Sequence, residues 1–407
     1  MKALFVCLTD YQLLNSINIK THLLTEQEAD IIIFNNKVGT FELADRLQQT
    51  GIFKNVYVYS EHFKGIHKYL RNKSENKVEI TLFEAIMGTL KNISLKILEK
   101  VKDKEWIVNQ KIYKNKKIDF SKYNQLFGIE TKAFVGECFD LISKYNKCKN
   151  NSIDEGLASY LSYALNRLHK IDCIYLYEPG MAAYKERFSD IIRIPKIDIE
   201  NKEFVQLINF VYDFKDSSNI DLKNKVIFFD QNTDPMPKYL RNAGTIKKFI
   251  FRNSYKKHLH EQIVYDTKME LFKILISEIF PQDIFVKLHP RSNSDFIKDY
   301  KKAGAKFFPN IFAPWEVFGC NCEIKNNIWI TIYSSALCAY DFTIKNSSDN
   351  KYVFMFKILN KKRKINRYEE IETFFNSYQK NNKQRVFLPS SIKELEETIK
   401  FVKRDMK

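Results

Sequence analysis

The sequence has 407 residues, which is enough for two or three domains of about 150 residues, each with its own core. Hydrophobic residues make up 44% of the chain and charged residues 28%, which excludes wholesale disorder. The 11 Gly and 9 Pro are too few for a collagen-like or low-complexity chain. No apolar run approaches the roughly 18–20 residues that cross a bilayer, so an integral membrane protein is not expected.

The chain is strongly basic, with 66 Lys and Arg against 49 Asp and Glu, a net charge of +17. Such a balance favours polyanions, anionic lipid surfaces or phosphorylated substrates, and a merely Lys-rich solvated surface is the alternative. The densest basic cluster is Lys361-Lys362-Arg363-Lys364. A nucleic-acid-binding protein is disfavoured because the chain lacks a recognisable nucleic-acid module, and a purely structural partner protein is disfavoured equally.

The seven cysteines follow no framework spacing, which is typical of reduced thiols and predicts a cytoplasmic protein. The sequence shows no combination of charged, apolar and small-residue regions typical of a secretory signal. Cys320-x-Cys322 has no second Cys or His pair at zinc-like spacing, so no metal site is expected.

In chain order, the first part predicts alternating strands and helices. Strands are predicted at 3–8, 29–34 and 55–59, with helices at 11–24 and 42–49 between them. This βαβαβ order indicates a doubly wound sheet. Residues 62–117 are Lys-rich and predict a helical insertion within the same domain, after which short strands are predicted at 124–129 and 173–177.

A polar, turn-prone segment at 214–219 precedes a new first strand at 225–230, so a second domain is expected to start near residue 220. It repeats the pattern, with helices predicted at 260–280, from Ser335 onward and at 392–402, and strands at 284–288, 305–308 and 328–332. The predicted fold class is α/β, with two Rossmann-like, doubly wound domains at 1–219 and 220–407.

Three short elements place polar residues at strand ends or tight turns, where open α/β sheets hold ligands. The first is Asp154-Glu155-Gly156. In an extended backbone the two carboxylates point to opposite sides, so one can face a ligand as a general base while the other hydrogen-bonds the turn. A solvent-facing acidic turn is the alternative.

The second element is Lys287-Leu288-His289-Pro290-Arg291, which ends an apolar strand. Pro290 favours an extended His289 and stops the strand there. The flanking Lys287 and Arg291 suit a histidine that meets a phosphate and delivers a proton to it. A strand-end histidine capped by backbone is the alternative.

The third element is Tyr333-Ser334-Ser335, which ends a strand and begins a helix. Hydroxyl groups and free backbone N–H groups at a helix start can bind an anion, although a simple N-cap is the alternative. A base, an acid and a phosphate site together are what an inverting transfer from a phosphate-activated sugar requires.

In this order, these motifs resemble those of the bacterial sialyltransferases, most closely the lipooligosaccharide type of glycosyltransferase family 52 and its polysialyltransferase relatives. The matching motifs are acidic-acidic-Gly at Asp154-Glu155-Gly156, His-Pro at His289-Pro290 and Ser-Ser at Ser334-Ser335. Cys7-Leu8-Thr9-Asp10-Tyr11-Gln12 is similar to the first strand and its Thr-x-x-Gln turn, and Pro314-Trp315-Glu316 to a Pro-x-Glu element.

The resemblance implies a GT-B architecture of two Rossmann-like domains facing a central cleft, with CMP-sialic acid as donor, inversion at the anomeric carbon and no cofactor or catalytic metal. It implies that His289 is the general acid on the departing CMP phosphate, that Ser334 and Ser335 bind that phosphate, and that Glu316 holds the ribose. Further substrate-binding residues are expected at Thr9, Gln12, Gly156, Lys287, Pro290, Arg291 and Tyr333. The expected base is Glu155 or Asp154. Asp234, in the loop after the first strand of the second domain, is the reserve.

The expected function is therefore transfer of sialic acid to a galactose-terminated or sialylated cell-surface glycan in capsule or lipooligosaccharide synthesis. The alternative is a GT-B glycosyltransferase of cell-envelope assembly that uses another nucleotide sugar. The positive charge would hold the enzyme at the anionic inner face of the plasma membrane. The acceptor, the linkage and the oligomeric state, for which a homodimer is one option, stay open from sequence.

Overall fold

The computed structural model describes residues 2–35, 39–60, 87, 90, 104–113, 116–129, 133–161, 171–186, 190–215, 222–231, 252–279, 283–289, 294–308, 313–334, 336–345 and 350–404. The chain forms two compact units. Unit 1 comprises Met1–Asp216 and Phe312–Cys320, and unit 2 comprises Ser217–Ile311 and Asn321–Lys407. The boundary between residues 216 and 217 lies close to the predicted start of the second domain, whereas Phe312–Cys320 groups with unit 1.

Unit 1 contains a parallel sheet made from short, mostly apolar strands. The strands are β1 (Lys2–Cys7), β2 (Ala29–Phe34), β3 (Val56–Tyr59), β4 (Tyr123–Gly128), β5 (Lys149–Ile153), β6 (Cys173–Leu176) and β7 (Ile191–Arg193). Their order in the sheet is β3-β2-β1-β4-β5-β6-β7. Every residue of β2 is buried, as expected for a parallel strand covered on both faces.

Helices cover this sheet, and aromatic packing joins its central strands. The helices are α1 (Asp10–His22), α2 (Thr40–Gln49), α3 (Lys104–Gln110), α4 (Ala133–Ser143) and α5 (Lys202–Tyr212). Phe5 of β1 lies opposite Phe127 of β4, and their rings stack at 4.4 Å between centroids. Both side chains are fully buried, so the centre of the sheet is also the centre of the core.

Unit 2 contains a second parallel sheet. Its strands are β9 (Val226–Phe229), β10 (Ile284–Lys287), β11 (Lys306–Phe307), β13 (Ile328–Thr331), β14 (Lys351–Phe354) and β15 (Val386–Phe387), while β8 (Leu222–Lys223) pairs separately with β12 (Ile324–Lys325). The order β11-β10-β9-β13-β14-β15 is the 3-2-1-4-5-6 order of a Rossmann fold.

The helices in this part of the chain include one long element and several shorter ones. They are α6 (Arg252–Glu278), α7 (Ser294–Lys302), α8 (Trp315–Asn321), α9 (Ala336–Thr343), α10 (Phe356–Lys362), α11 (Tyr368–Asn381) and α12 (Ile392–Arg404). Leu271 and Leu275 of α6 join Leu395 and Ile399 of α12 in a buried core with the strands. None of the helices in the described part of the chain has the length and apolar character needed to span a bilayer.

The predicted fold class is confirmed, because both units are doubly wound parallel α/β sheets as a GT-B chain requires. Several elements were not predicted, among them β5, α4, α5 and α11. The long helix α6 begins at Arg252 rather than at residue 260. Most of the predicted insertion at 62–117 lies outside the described residues, and α3 is the helix described within it.

Candidate functional site

In each unit all strands of the main sheet are parallel, so their carboxyl ends lie along one edge. The strand order reverses between β1 and β4 in unit 1, and between β9 and β13 in unit 2. Ligands of open α/β sheets bind outside the carboxyl ends near such a reversal. The Asp154, His289 and Ser334 motifs all follow strands at these edges.

The acidic turn follows β5 and is organised around Asp154, which is 1% exposed. Its Oδ1 accepts a hydrogen bond from the Gly156 backbone N–H at 2.7 Å, and its Oδ2 accepts one from the Tyr160 hydroxyl at 2.5 Å. The Tyr177 N–H, at the end of β6, lies 3.4 Å from the same Oδ2. Asp154 is therefore the member of the acidic pair that holds the turn.

Gly156 has φ 96° and ψ −152°, a conformation that is strained for any residue with a Cβ atom. This backbone turns the chain from β5 into a short 3₁₀ helix, Leu157–Tyr160, which carries the tyrosine back to Asp154. Glu155 lies between Asp154 and Gly156, its N–H donates to Ser159 Oγ at 2.9 Å, and it is half-buried. The motif thus presents one buried and one partly accessible carboxylate.

A buried network of amide and hydroxyl groups supports this turn from α1. Asn15 donates from Nδ2 to the Asp154 carbonyl oxygen at 2.8 Å and accepts at Oδ1 from the Tyr177 hydroxyl at 2.9 Å. Asn18 donates from Nδ2 to the Tyr177 hydroxyl oxygen at 3.1 Å and to the Pro195 carbonyl at 2.8 Å. Fixed in this way, the acidic turn has little freedom to shift.

Burial raises the pKa of Asp154 to about 6, although the hydrogen bonds from Tyr160, Gly156 and Tyr177 oppose that rise. Burial also raises the pKa of Tyr160 well above its usual range, and the negative charge of Asp154 adds to this. Tyr160 therefore stays protonated and remains a hydrogen-bond donor to Asp154 near neutral pH.

Thr9 and Gln12, predicted as substrate-binding residues, form the start of α1. Thr9 is its N-cap, and Thr9 Oγ1 accepts from the Gln12 N–H at 3.3 Å. Gln12 is buried, and its Oε1 accepts from the Leu8 N–H at 2.7 Å. This reciprocal capping satisfies two backbone donors at the helix start. The spacing of Thr9 and Gln12 is therefore explained by capping of α1.

The His-Pro motif follows β10 in unit 2. Lys287 is the last residue of the strand, and its Nζ lies 5.8 Å from the centroid of the Phe229 ring on β9. His289 lies two residues beyond the strand end and is half-buried. Pro290 and Arg291 lie outside the described residues, so their predicted binding roles stay predictions.

The neighbouring strand β9 ends in a buried charged cluster that the sequence analysis missed. Asp230 and Lys268 form an ion pair at 2.6 Å with side chains 0% and 1% exposed, and the Tyr300 hydroxyl donates to Asp230 Oδ1 at 2.7 Å. Lys268 also donates to the Gln231 carbonyl at 3.2 Å, and the Asp230 N–H donates to the Lys287 carbonyl at 2.9 Å. The cluster fixes the start of the loop after β9 and ties it to β10.

Lys268 carried a signal that could have revealed this cluster. It lies on α6 between Val264 and Leu271, at positions i+4 and i+7 of one buried helix face. A lysine in an apolar stripe requires a buried partner. Burial lowers the pKa of Lys268, whereas the charge of Asp230 raises it.

The serine motif follows β13. Thr331 Oγ1 donates to the Phe229 carbonyl at 3.1 Å and accepts from the Ser334 N–H at 3.2 Å. Ser334 Oγ in turn accepts from the Ala336 N–H at 3.3 Å, at the start of α9. Tyr333 is half-buried against the core of unit 2, and Ser335 lies outside the described residues.

The strand register brings the His289 and Ser334 motifs to one edge. Lys287 of β10 is opposite Phe229 of β9, and Ile330 of β13 is opposite Phe228. Because β9 separates β10 from β13, their backbones are about 10 Å apart at about 4.8 Å per strand. A small anionic group can contact residues from both strand ends at that separation.

Glu316, predicted to hold the ribose, does not lie at these strand ends. Glu316 is in the first turn of α8, is 4% exposed, and belongs to the segment that groups with unit 1. Its negative charge contributes to raising the pKa of Tyr177 and Tyr212. The reserve base Asp234 lies outside the described residues.

Each of the seven cysteines is free, and Cys320 has its pKa raised to about 12 by burial and by Glu316. Among the residues that the structure describes, no group of three or more His, Cys, Asp and Glu side chains could hold a metal ion.

Comparison with known proteins gives distant structural likenesses. No protein-family model and no curated protein matches the chain. Arabidopsis thaliana UGT89C1 complexed with UDP is similar at 11% identity and a TM-score of 0.41, over 98% of this chain and 99% of its own. Sucrose-phosphate synthase from Thermosynechococcus elongatus is similar at 9% identity and a TM-score of 0.42, over 100% of this chain and 90% of its own. Acinetobacter baumannii MurG is similar at 8% identity and a TM-score of 0.37, over 100% of this chain and 93% of its own.

Proposed function

We propose that the protein is an inverting glycosyltransferase that moves sialic acid from CMP-sialic acid to a glycan hydroxyl group. The observation that carries the proposal is the edge of the unit 2 sheet, where His289 and Ser334 follow strands on either side of β9. This is the position at which a doubly wound sheet binds a nucleotide phosphate. The groups present there, an imidazole and a hydroxyl beside a lysine, are those that a departing phosphate requires.

On the donor side, the bond between the anomeric carbon and the phosphate oxygen breaks, and its electron pair leaves with the nucleotide phosphate. His289 delivers a proton to that phosphate oxygen as general acid, which contributes roughly 10²–10⁴-fold to the rate. The hydroxyl of Ser334 and the ammonium of Lys287 stabilise the charge that develops on the phosphate. Ser335, Pro290 and Arg291 complete this side in the proposal.

On the acceptor side, Glu155 is the proposed base. The acceptor oxygen bonds to the anomeric carbon from the face opposite the phosphate, and the hydroxyl proton goes to the Glu155 carboxylate. Glu155 is preferred to Asp154 because Asp154 is 1% exposed and both of its oxygens already accept hydrogen bonds. Asp154 is then a positioning residue, and Asp234 remains the reserve base.

The identity of the sugar rests on the ordered resemblance of the three motifs to the family 52 sialyltransferases. A glycosyltransferase of cell-envelope assembly that uses another nucleotide sugar is the second candidate. The same strand-end arrangement favours it, since the phosphate groups present similar chemistry in both donors. In this proposal Glu316 binds the ribose of the nucleotide, as the resemblance implies.

The net charge of +17 supports a further part of the proposal, peripheral binding to an anionic membrane face where lipid-linked acceptors reside. Vesicles containing anionic lipid should retain the protein at low salt and release it at about 0.5 M salt, because exposed charges are screened there. Equal binding to neutral vesicles would contradict this part.

The test of the reaction is incubation with CMP-sialic acid, or with a panel of UDP- and CMP-sugars, and labelled galactosides and sialosides. Product mass and release of free nucleotide are measured. Sialylated product with release of CMP is expected. Turnover with a UDP-sugar alone would select the second candidate, and an absence of turnover and of nucleotide binding across the panel would overturn the glycosyltransferase proposal.

A further inference from the structure

One member of the basic cluster Lys361-Lys362-Arg363-Lys364 differs from the other three. Lys361, Lys362 and Lys364 are exposed, whereas Arg363 is half-buried. It is the C-cap of α10, where its extended backbone turns away from the helix and its N–H donates to the Leu359 carbonyl at 2.8 Å. The cluster is therefore not a uniform solvated patch, because one guanidinium is directed towards the protein.

The chain on both sides of Arg363 is held close to the end of β13. The helix begins directly after β14, the strand that pairs with β13, and the Met355 N–H at this junction donates to the Thr331 carbonyl at 2.9 Å. After the helix, Ile365 packs against the same core as Tyr333. The chain on both sides of Arg363 is thus anchored beside the end of β13.

Arg363 acts electrostatically on Tyr333, the residue before Ser334. Burial raises the pKa of Tyr333, the negative charge of Glu261 on α6 adds to the rise, and the positive charge of Arg363 opposes it. Both charges therefore lie near the Tyr333 hydroxyl. Tyr333 directly precedes Ser334 and follows β13, so this positive charge acts at the carboxyl end of β13.

We propose that Arg363 is a donor-binding residue that contacts an anionic group of the nucleotide sugar beside Ser334. The inference rests on the proposed function, and it adds to it a residue outside the three strand-end motifs, at the C-cap of α10. A guanidinium holds a phosphate or a carboxylate through two parallel hydrogen bonds, which a lysine cannot reproduce. CMP-sialic acid carries both kinds of anion, so the experiment must separate them.

The test is calorimetric titration of the full-length protein with CMP and with CMP-sialic acid, for wild type, Arg363→Gln and Arg363→Lys. Lys364→Gln is the matched control, since it removes the same charge from an exposed neighbour. We expect Arg363→Gln to weaken binding at least tenfold and Arg363→Lys by an intermediate factor. Lys364→Gln should change affinity less than twofold, and transfer assays should show the loss in donor KM more than in kcat.

The outcomes separate the proposals. A loss of equal size for both ligands assigns Arg363 to the phosphate, and a loss confined to CMP-sialic acid assigns it to the sugar carboxylate. If the wild-type protein binds CMP or CMP-sialic acid and both Arg363 variants bind it equally well, this inference is overturned and the proposed function is not. If the wild type binds neither these ligands nor UDP-sugars, the proposed function fails as well. If Arg363→Gln lowers the melting temperature, the affinity of Arg363→Lys is the deciding measurement. An intermediate loss supports the proposal, and wild-type affinity overturns it.

Discussion

The carboxyl edges of the two sheets both bury a carboxylate, but they surround it with different partners. In unit 1, Asp154 receives hydrogen bonds from the uncharged Tyr160 hydroxyl and from backbone N–H groups. In unit 2, Asp230 is paired with the ammonium of Lys268. The first arrangement raises the pKa of a carboxyl group through burial, whereas the second balances two opposite charges within the core.

This difference fits the two tasks of the proposed function, which are proton removal from the acceptor and binding of the donor phosphate. The neutral donors hold Asp154 in the turn, and the next residue, Glu155, is half-buried, which suits a base that must reach an acceptor hydroxyl group. An edge with Lys287 at a strand end and Arg363 near Tyr333 suits an anionic ligand. Under the proposed function, the acceptor chemistry belongs to unit 1 and the donor phosphate to unit 2.

The largest expected effect tests the unit 2 edge. His289→Ala should lower the rate of transfer by roughly 10²–10⁴-fold because the leaving phosphate loses its proton donor. The melting temperature should change little, since His289 is half-buried beyond the strand end and contributes little packing. Initial rates of CMP release and a thermal melt check both statements, and turnover near the wild-type rate would remove His289 from the reaction.

The next effect tests the unit 1 edge. Glu155→Gln should lower transfer by about 10²-fold or more while leaving slow hydrolysis of the donor by water much less affected, because the base acts on the acceptor hydroxyl. Glu178→Gln is the matched control. Glu178 follows β6 on the same edge and pairs with Lys196 at 2.8 Å. Equal losses of transfer and hydrolysis in Glu155→Gln would assign Glu155 to the turn rather than to the reaction.

A smaller effect concerns stability and tests the contrast between the buried carboxylates. Since the pKa of Asp154 is raised to about 6, folded protein retains a proton that unfolded chain loses above about pH 4. Asp154 should therefore make the free energy of unfolding fall by about 2–3 kcal/mol as the pH rises from 4 to 6. Asp154→Asn removes this contribution. Parallel stability curves for the two proteins over that range would show that Asp154 does not titrate as described.

The smallest expected effect tests Ser334. Ser334→Ala should raise the donor KM several-fold with little change in acceptor KM, and should destabilise the fold by about 1 kcal/mol through loss of the bond from Ala336. Ser391→Ala is the control, because Ser391 Oγ accepts from the Glu394 N–H at 3.2 Å at the start of α12 in the same unit. A donor KM that stays unchanged in Ser334→Ala would reduce Ser334 to a helix cap.

The apolar strands could be predicted from sequence because burial on both faces leaves a direct pattern. Residues 29–34 were predicted as a strand with the bounds that β2 has. Strand β5, Lys149–Ile153, was missed because Asn150 and Asn151 interrupt the apolar pattern. Both asparagines are buried, and Asn151 Nδ2 donates to the Leu126 carbonyl of β4 at 3.1 Å, a pairing that no local pattern reveals.

The site follows the same rule. The His289 motif follows the apolar strand β10 and could be placed from sequence, whereas the strand before Asp154, β5, was not predicted. The Asp230 cluster could not be placed, since Lys268 and Tyr300 are 38 and 70 residues away along the chain. The inward direction of Arg363 was also hidden, because four consecutive basic residues differ only once α10 is placed beside β13.

The assignment of Phe312–Cys320 to unit 1 has a practical consequence for dissecting the protein. A single cut near residue 216 would not yield two complete pieces, because the C-terminal fragment would carry a segment that completes the other unit. Trp315, Val317 and Phe318 are buried, so their side chains would be exposed on such a fragment. Aggregation is the expected fate of a 217–407 fragment, and replacing 312–320 with a short polar linker is the rational route to a soluble one.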